Sequence, residues 1–432
     1  MKVAITTLGC KVNQYDSAAL ATQLGGAGHT IQGFEPGADV YIVNTCSITD
    51  RADAESRQLA RRIKRWNPDA RVIMTGCYAQ ANPNGAAALP EVDFVIGLDR
   101  RTELLRALNG ELAGDGRVFV SDLRKTDAQP PLGAEMFGGR TRAFLKVQDG
   151  CDLFCTFCIV PWSRGRSRSV PPRTILAELD KLAALGFEEV VLTGIHLGGY
   201  GADLQPQIGL ADLVEMVAER APVTRVRLSS IDPPEISPRL LDIMRRSDVL
   251  CHHVHMPVQA GEDGVLRRMR RRYDTRLLRD VVAEIRRQLP EAGLGTDVIA
   301  GFPAESEQEF DRSLVLLEEL SFSYFHVFPY SRRSGTTAAK LPGHLPKRLI
   351  RGRAQRLRKL SDRKRAAFAA GFLGKTLRVL PEAGGQRDVL SGYARNYVRV
   401  VLPGQPVEPN REISVRVRSV RGAVAEGVIG RG

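Results

Sequence analysis

The segment Arg142-Ala-Phe-Leu-Lys-Val-Gln148, followed by Asp149-Gly150 and then by Cys151-Asp-Leu-Phe-Cys155-Thr-Phe-Cys158, decides how this chain is read. The run RAFLKVQ has the character of a strand, and three thiols follow it within one short loop that can wrap around a single metal centre. Iron–sulfur clusters of the four-iron type prefer four thiolates, one per iron, so a compact set of three leaves one iron without a protein ligand. An open metal position is where a substrate or cofactor binds. The competing reading is a zinc site completed by a distant His or Cys.

Downstream, five more strand-like runs (EEVVLTG, TRVRLSS, HHVHMPV, LGTDVIAGF and YFHVFPYS) alternate with helical patterns. Residues 137–368 are therefore expected to form a β/α barrel or part of one, with its chemistry at the carboxyl ends of the strands. Those ends are polar: Thr193 and Gly194, Ser229 and Ser230, Gln259, then Asp297 and Gly301. A strand-capping hydrogen bond is an equally good account of Ser229 and Asp297. Upstream, residues 1–112 alternate VAITTLG, DVYIVNTC, RVIMTGC and FVIG with helical stretches around Ala18 to Leu24 and Asp53 to Trp66, the pattern of a parallel α/β sheet. Cys10, Cys46 and Cys77 each fall directly after a strand of that sheet, where its ligand crevice lies, so they can converge despite their separation. Gly9 and Gly76 give the backbone room beside two of them.

Residues 113–136, rich in Gly, Pro and Asp, are expected to be a connector. From 371 to 432, short strands broken by Gly, Pro and Asn suit a small antiparallel barrel of oligonucleotide-binding character. At 432 residues two or three domains are expected, and no apolar run approaches the roughly 20 residues of a membrane-spanning helix. The N-terminus lacks the pattern of a secretory signal, which points to the cytoplasm. A net charge of +13 favours a polyanion such as RNA. Two stretches, Arg267 to Arg272 and Lys347 to Arg365, are strongly basic and read as solvated helix faces. Seven cysteines are too few for a disulfide scaffold.

The CxxxCxxC loop, with Phe157 just before its third cysteine, resembles that of the radical S-adenosylmethionine superfamily. The resemblance implies that a [4Fe-4S] cluster on Cys151, Cys155 and Cys158 binds the amino and carboxylate groups of S-adenosyl-L-methionine at its open iron. Reductive cleavage then yields a 5′-deoxyadenosyl radical. It further implies that Thr193 and Gly194 hold the cofactor's amino group, and that Ser230, Gln259 and the backbone around Gly301 contact its carboxylate, ribose and adenine.

LGCKVNQYDS, NTCSIT, TGCYAQ, CDLFCTFCIVPWSRGRSRS and TGIHLGGYG together resemble the methylthiotransferase family across nearly the whole chain. That family's architecture implies an N-terminal domain with a second [4Fe-4S] cluster on Cys10, Cys46 and Cys77, a radical barrel, and a C-terminal TRAM barrel that grips RNA. The GCKVNQYDS and TGIHLGGYG segments look most like the branch that methylthiolates C2 of N6-threonylcarbamoyladenosine at position 37, in the anticodon loop of tRNA. An unactivated aromatic C–H bond suits such radical chemistry. An electron donor protein and a sulfur donor are implied as partners. Ala260 and Ala304 depart from the family's usual Ser and Gly, whereas Arg164, Gly165, Arg168 and Ser169 keep its RGxxRS run.

For RNA, Tyr393, Tyr397, Arg395 and Arg399 are the barrel candidates, with Tyr397 better read as a core residue. Cys251 reads as a buried small hydrophobe, His253 and His255 as poor zinc ligands for want of partners in their segment, and His196 as facing substrate or cofactor. The rivals are the same chemistry on isopentenyladenosine tRNA or a ribosomal-protein aspartate, and a non-catalytic, zinc-stabilised RNA-binding protein.

Overall fold

The strand Val40–Thr45 is buried on both faces, and its alternation builds two cores at once. Tyr41 and Val43 pack with Val72, Met74 and the helix residues Leu59, Ala60 and Ile63. Val40 and Ile42 turn the other way, to Ile73, Leu20, Leu24, Leu104 and Leu108. Each buried Leu or Ile contributes roughly 1.5–3 kcal/mol. The helix Asp50–Trp66 presents Ser56, Leu59, Ala60 and Ile63 inward at helical spacing, begins under a Thr49 cap that accepts from the Ala52 amide, and ends on Lys64 and Arg65.

The computed structural model describes residues 1–112, 116–126, 133–382, 389–405 and 407–430. Of the expected connector, 113–115 and 127–132 lie outside the described residues, as do 383–388, 406 and 431–432 of the C-terminal segment. The chain packs as two units. One comprises Met1–Gly138, Lys146–Val170 and Ser331–Ala339; the other comprises Gly139–Leu145, Pro171–Tyr330 and Lys340–Gly432.

The first unit holds a six-stranded sheet, with every pair parallel, in the order Thr30–Gln32, Lys2–Thr7, Val40–Thr45, Arg71–Gly76, Phe94–Ile96 and Val118–Phe119. The two outermost strands, of three and two residues, are too short to show a period in the sequence. Val118–Phe119 falls within the stretch read as a connector. The helix expected around Ala18 to Leu24 runs from Lys11 to Gly26, because Asn13, Asp16 and Ser17 are buried as deeply as its apolar residues and erase the amphipathic pattern.

All six barrel strands anticipated from the sequence form: Arg142–Asp149, then Glu189–Gly194, Arg225–Leu228, His253–His255, Gly293–Ala300 and Tyr324–Pro329. They lie in two sheets linked by parallel bridges at Val226–Leu250 and Ser230–His255. The C-terminal barrel closes in the order Thr376–Pro381, Val389–Ala394, Arg399–Pro403, Val424–Ile429, Ile413–Arg421. It is not wholly antiparallel: Arg399–Pro403 and Val424–Ile429 pair in parallel.

One buried acid anchors this small barrel. Glu189 accepts from Arg227 Nε at 2.9 Å and also pairs with Arg225 and Arg142. Arg225 reaches Glu412 at 3.1 Å and the Tyr393 carbonyl at 3.0 Å, and Arg227 the Arg395 carbonyl at 2.9 Å. Burial alone would raise the Glu189 carboxyl, but Arg227, Arg225 and Arg142 hold it down to about 2. A depressed carboxyl stabilises the fold above its unfolded value, about 4.3, and that contribution is lost as pH falls towards 2. We expect Glu189→Gln to cost about 3 kcal/mol by stranding two buried guanidinia, read as a lower urea midpoint at pH 7, with a smaller difference from the parent at pH 3.

Candidate metal centre

In the first unit, the strand Lys2–Thr7 leads to an edge strand on one side, while Val40–Thr45 starts the chain's progress to the other. Between the carboxyl ends of these two strands the winding reverses, the place where open α/β sheets build ligand crevices. Cys10 follows the first strand and caps the helix Lys11–Gly26, Cys46 follows the second, and Cys77 opens the short helix after Arg71–Gly76.

Two glycines make this convergence possible. Gly9 has φ +99°, and a Cβ there would stand 2.8 Å from the Cys46 sulfur. At Gly76, with φ +90°, a Cβ would lie 2.4 Å from Asn44 Oδ1 and 2.5 Å from the Thr45 backbone. Burial pushes the Cys46 thiol up to about 12, with the nearby Cys77 and Cys10 sulfurs adding to the effect. Cys77 is raised by burial too, against the opposing charge of Arg164.

Cys151, Cys155 and Cys158 occupy the loop after the strand Arg142–Asp149. The Cys151 amide donates to the Gly165 carbonyl at 3.1 Å and the Cys158 amide to the Cys155 carbonyl at 3.0 Å. At Gly150 a Cβ would come 1.8 Å from the Arg166 carbonyl oxygen, so only glycine lets the loop fold back on itself. Phe157 lies between Thr156 and Cys158 in this loop, half-buried.

A buried ion network joins the two sets of cysteines. Arg164, on the helix after the loop, donates to both carboxylate oxygens of Asp149 at 3.0 and 3.1 Å, to Asp16 at 2.8 Å, and to Asn13. Its Nε lies 3.4 Å from the Cys77 sulfur. Lys146 closes the circuit to Asp16 at 2.6 Å and Asp149 at 3.0 Å. Burial would raise both carboxyls, but the two cations hold them below the usual range. A second brace comes from the segment Ser331–Ala339: Arg333 donates to Ser47 at 2.8 Å and to Asp50 at 2.7 Å, and the Ala338 amide donates to the Thr156 carbonyl at 2.7 Å.

Sequence reasoning missed the roles of Asn13, Asp16, Lys146, Asp149 and Arg333. Asn13 and Asp16 lie within LGCKVNQYDS, but pairing across 130 or more positions leaves no local signal.

The remaining candidates lie in the second unit. Thr193 and Gly194 end the strand Glu189–Gly194, with Thr193 buried. Ser230 bridges to His255, and Gln259 adopts φ 63° between the Asp297 carbonyl and the Ile299 amide. Gly301, with φ +81°, has its amide engaged by Glu305 at 2.9 Å, and Glu305 is held by Arg353 at 2.8 Å. Asp297 accepts from His255 at 2.9 Å and His326 at 3.1 Å. The acidic partner that His255 lacks within its own segment thus comes from the next strand, and the three side chains set ligand atoms within 4.8 Å of one another. His196 meets Glu235 at 2.5 Å; burial lowers its pKa, but that carboxylate outweighs it and raises the net value. Cys251 is buried and its thiol raised by burial, as a small core residue would be.

The RNA candidates divide. Tyr397 stacks on His253 at 4.5 Å and lies under Arg227, Tyr393 stacks on Tyr397 at 4.7 Å, and Arg395 is spent on Glu412 and the Thr224 carbonyl. Arg399 alone of the four is exposed. For the centre itself, we expect Arg164→Met to strand Asp16 and Asp149 at a cost of about 3–5 kcal/mol. Gly76→Ala should lower iron bound per chain after anaerobic reconstitution, measured by elemental analysis, while circular dichroism stays native-like.

Two family models match the chain: Uncharacterized protein family UPF0004 over residues 2–97, and the Radical SAM superfamily over residues 145–317. Threonylcarbamoyladenosine tRNA methylthiotransferase MtaB of Bacillus subtilis (strain 168) is 38% identical over 96% of this chain and 93% of its own. The protein of that name from Aquifex aeolicus (strain VF5) is 39% identical over 88% and 92%. A tRNA-2-methylthio-N(6)-dimethylallyladenosine synthase from Moorella thermoacetica is 34% identical over 96% and 95%. The radical S-adenosylmethionine methyltransferase TsrM of Kitasatospora setae, solved with tryptophan and a cofactor analogue, aligns with a TM-score of 0.57 at 13% identity, over 89% of this chain and 79% of that one. At that identity the likeness concerns the fold alone. With identity sustained along nearly the whole of both chains, and with the two cysteine triads in place, this protein belongs to the methylthiotransferase family of radical S-adenosylmethionine enzymes.

Proposed function

We propose that this protein is the transferase that adds a methylthio group to C2 of N6-threonylcarbamoyladenosine at position 37 of tRNA. The observation that carries the reading is the pair of cysteine triads packed in one unit and joined through Arg164. The names of the Bacillus subtilis and Aquifex aeolicus relatives favour the threonylcarbamoyl substrate over the dimethylallyl one, since they match at higher identity than the Moorella thermoacetica protein.

The residues fit two [4Fe-4S] clusters: three thiols in each set, leaving one iron of each open, with a buried guanidinium 3.4 Å from the Cys77 sulfur to offset thiolate charge. When bound, a cluster on Cys151, Cys155 and Cys158 supplies the electron that cleaves S-adenosyl-L-methionine, and one on Cys10, Cys46 and Cys77 supplies the sulfur. Arg164 and Lys146 keep Asp16 and Asp149 ionised, which fixes the starts of both cysteine loops against each other. Gly9 and Gly76 keep side chains out of the crevice. Phe157, Thr193, Gly194, Ser230, Gln259 and the Gly301 backbone are assigned to S-adenosyl-L-methionine. Residues 1–112, with the sheet strand Val118–Phe119, form the sulfur-donating domain, 137–368 the radical core and 371–432 the TRAM-like barrel.

An electron donor protein and a sulfur donor complete the set of partners. Among the described residues no helix is long and apolar enough to cross a membrane, and the reading places the protein with its tRNA in the cytoplasm. Mass spectrometry of tRNA nucleosides from cells without this protein should show loss of 2-methylthio-N6-threonylcarbamoyladenosine and accumulation of its unthiolated precursor. Loss of a different methylthio nucleoside would overturn the substrate assignment. Replacing Cys10, Cys46 and Cys77 together by Ala should leave one four-iron cluster and reductive release of 5′-deoxyadenosine, while product falls below detection. A triple variant that still made product would remove the second cluster from the mechanism.

A further inference from the structure

The helix Lys347–Ala370 carries its positive charge on two flanks with opposite fates. Ile350, Ala354, Leu357, Leu360 and Ser361 face inward, with the Ser361 hydroxyl hydrogen-bonded to both backbone groups of Phe325. On one flank, arginines are matched to acids of the helix Glu307–Glu319. Arg353 pairs with Glu307 at 2.9 Å, Arg356 with Glu307 at 2.7 Å and Asp311 at 2.6 Å, and Arg363 with Glu318 at 2.5 Å.

The opposite flank has no such match. Lys347, Arg351, Arg358 and Arg365 succeed one another at spacings of four, seven and seven, which places them in one line along the helix. All four are exposed, and among the described residues none has a carboxylate within ion-pair distance. Arg358 to Arg365 spans about 10 Å and the whole line about 27 Å, at 1.5 Å per residue. A row of uncompensated cations of this length repels itself in the free protein, and a polyphosphate backbone relieves that repulsion.

The line runs beside the last strand of a barrel sheet. Arg365 sits 5.1 Å over the ring of Tyr324, the first residue of the strand Tyr324–Pro329. That strand ends its sheet, and at Phe325 its outer side is met by Ser361 of the helix in place of another strand. Its side chains after Tyr324 and Phe325 are largely uncovered, with His326 51% and Phe328 38% exposed. A cationic track leading to exposed rings is the combination that holds single-stranded or looped RNA, the phosphates by charge and the bases by stacking.

Resting on the tRNA reading above, we infer that Lys347, Arg351, Arg358 and Arg365 form a phosphate-binding rail for the anticodon arm, delivering the loop to the edge marked by His326 and Phe328. The C-terminal barrel is then not the only RNA-binding surface. Tyr393, Tyr397 and Arg395, being committed internally, contribute little to it.

The test uses the reconstituted full-length protein and tRNA from cells lacking it, with affinity measured across a salt series. The double variant R351Q/R358Q should bind about tenfold more weakly near physiological salt, with a salt slope shallower by about 1.5. R356Q/R363Q, which removes the same charge from the matched flank, should keep the parental slope. Release of 5′-deoxyadenosine without tRNA should be unchanged in both, which reports an intact core. Parental affinity and slope in R351Q/R358Q, or an equal loss in both variants, would overturn the rail. If the parent itself failed to bind tRNA while binding another macromolecule, the tRNA reading would fall, and the rail with it.

Discussion

Lys146, Asp16, Arg164 and Asp149 form a closed ring of buried charges, two of each sign, with no shared sequence neighbourhood for Asp16. Charges taken out of water are tolerated only when each is paired and hydrogen-bonded, and removing one partner costs far more than the pair gains. The ring therefore acts as a positional lock more than as a source of stability. It fixes the helix that starts at Cys10, the strand end that precedes Cys151, and the helix that follows Cys158, and through the Arg164 contact it reaches Cys77.

Given that lock, steric constraints do the rest. The thiols can sit together only where the backbone passes close to them and side chains are kept away. Gly9, Gly76 and Gly150 meet that need at positions where a single methyl group would collide with a sulfur, a carbonyl or an amide. The winding reversal of the sheet supplies the crevice, and Arg333 and Ala338 tie down its far side from a segment more than 280 positions along the chain from Ser47 and Asp50.

The second unit solves a different problem with similar means. Its small barrel is held to the β/α strands by guanidinium bridges radiating from Glu189 and Glu412, and by stacked rings running from Tyr393 through Tyr397 to His253. Arginines used in this way are unavailable to RNA. The net positive charge is therefore a poor guide to where RNA sits until matched and unmatched arginines are separated, as on the two flanks of the helix Lys347–Ala370.

The sequence by itself determined the α/β class, the six barrel strands and the small C-terminal barrel, though not its one parallel pairing, and it singled out the six cysteines. Strand alternation, helical spacing and the Cys151–Cys158 spacing are local properties written in contiguous stretches, whereas Cys10, Cys46 and Cys77 were legible only as equivalent positions after three separate strands. It did not reveal the edge strands Thr30–Gln32 and Val118–Phe119, which exist only because a neighbour's hydrogen-bonding groups pair with them. Nor did it show the full helix Lys11–Gly26, whose polar residues are buried by distant partners. Tertiary structure alone decided that Asp16 meets Lys146 and Arg164, that Asp297 stands between His255 and His326, and that Arg395 points inward while Arg358 points to solvent. A charged side chain's function depends on whether an opposite charge lies within a few ångströms, and that distance is set by the fold and not by the order of residues.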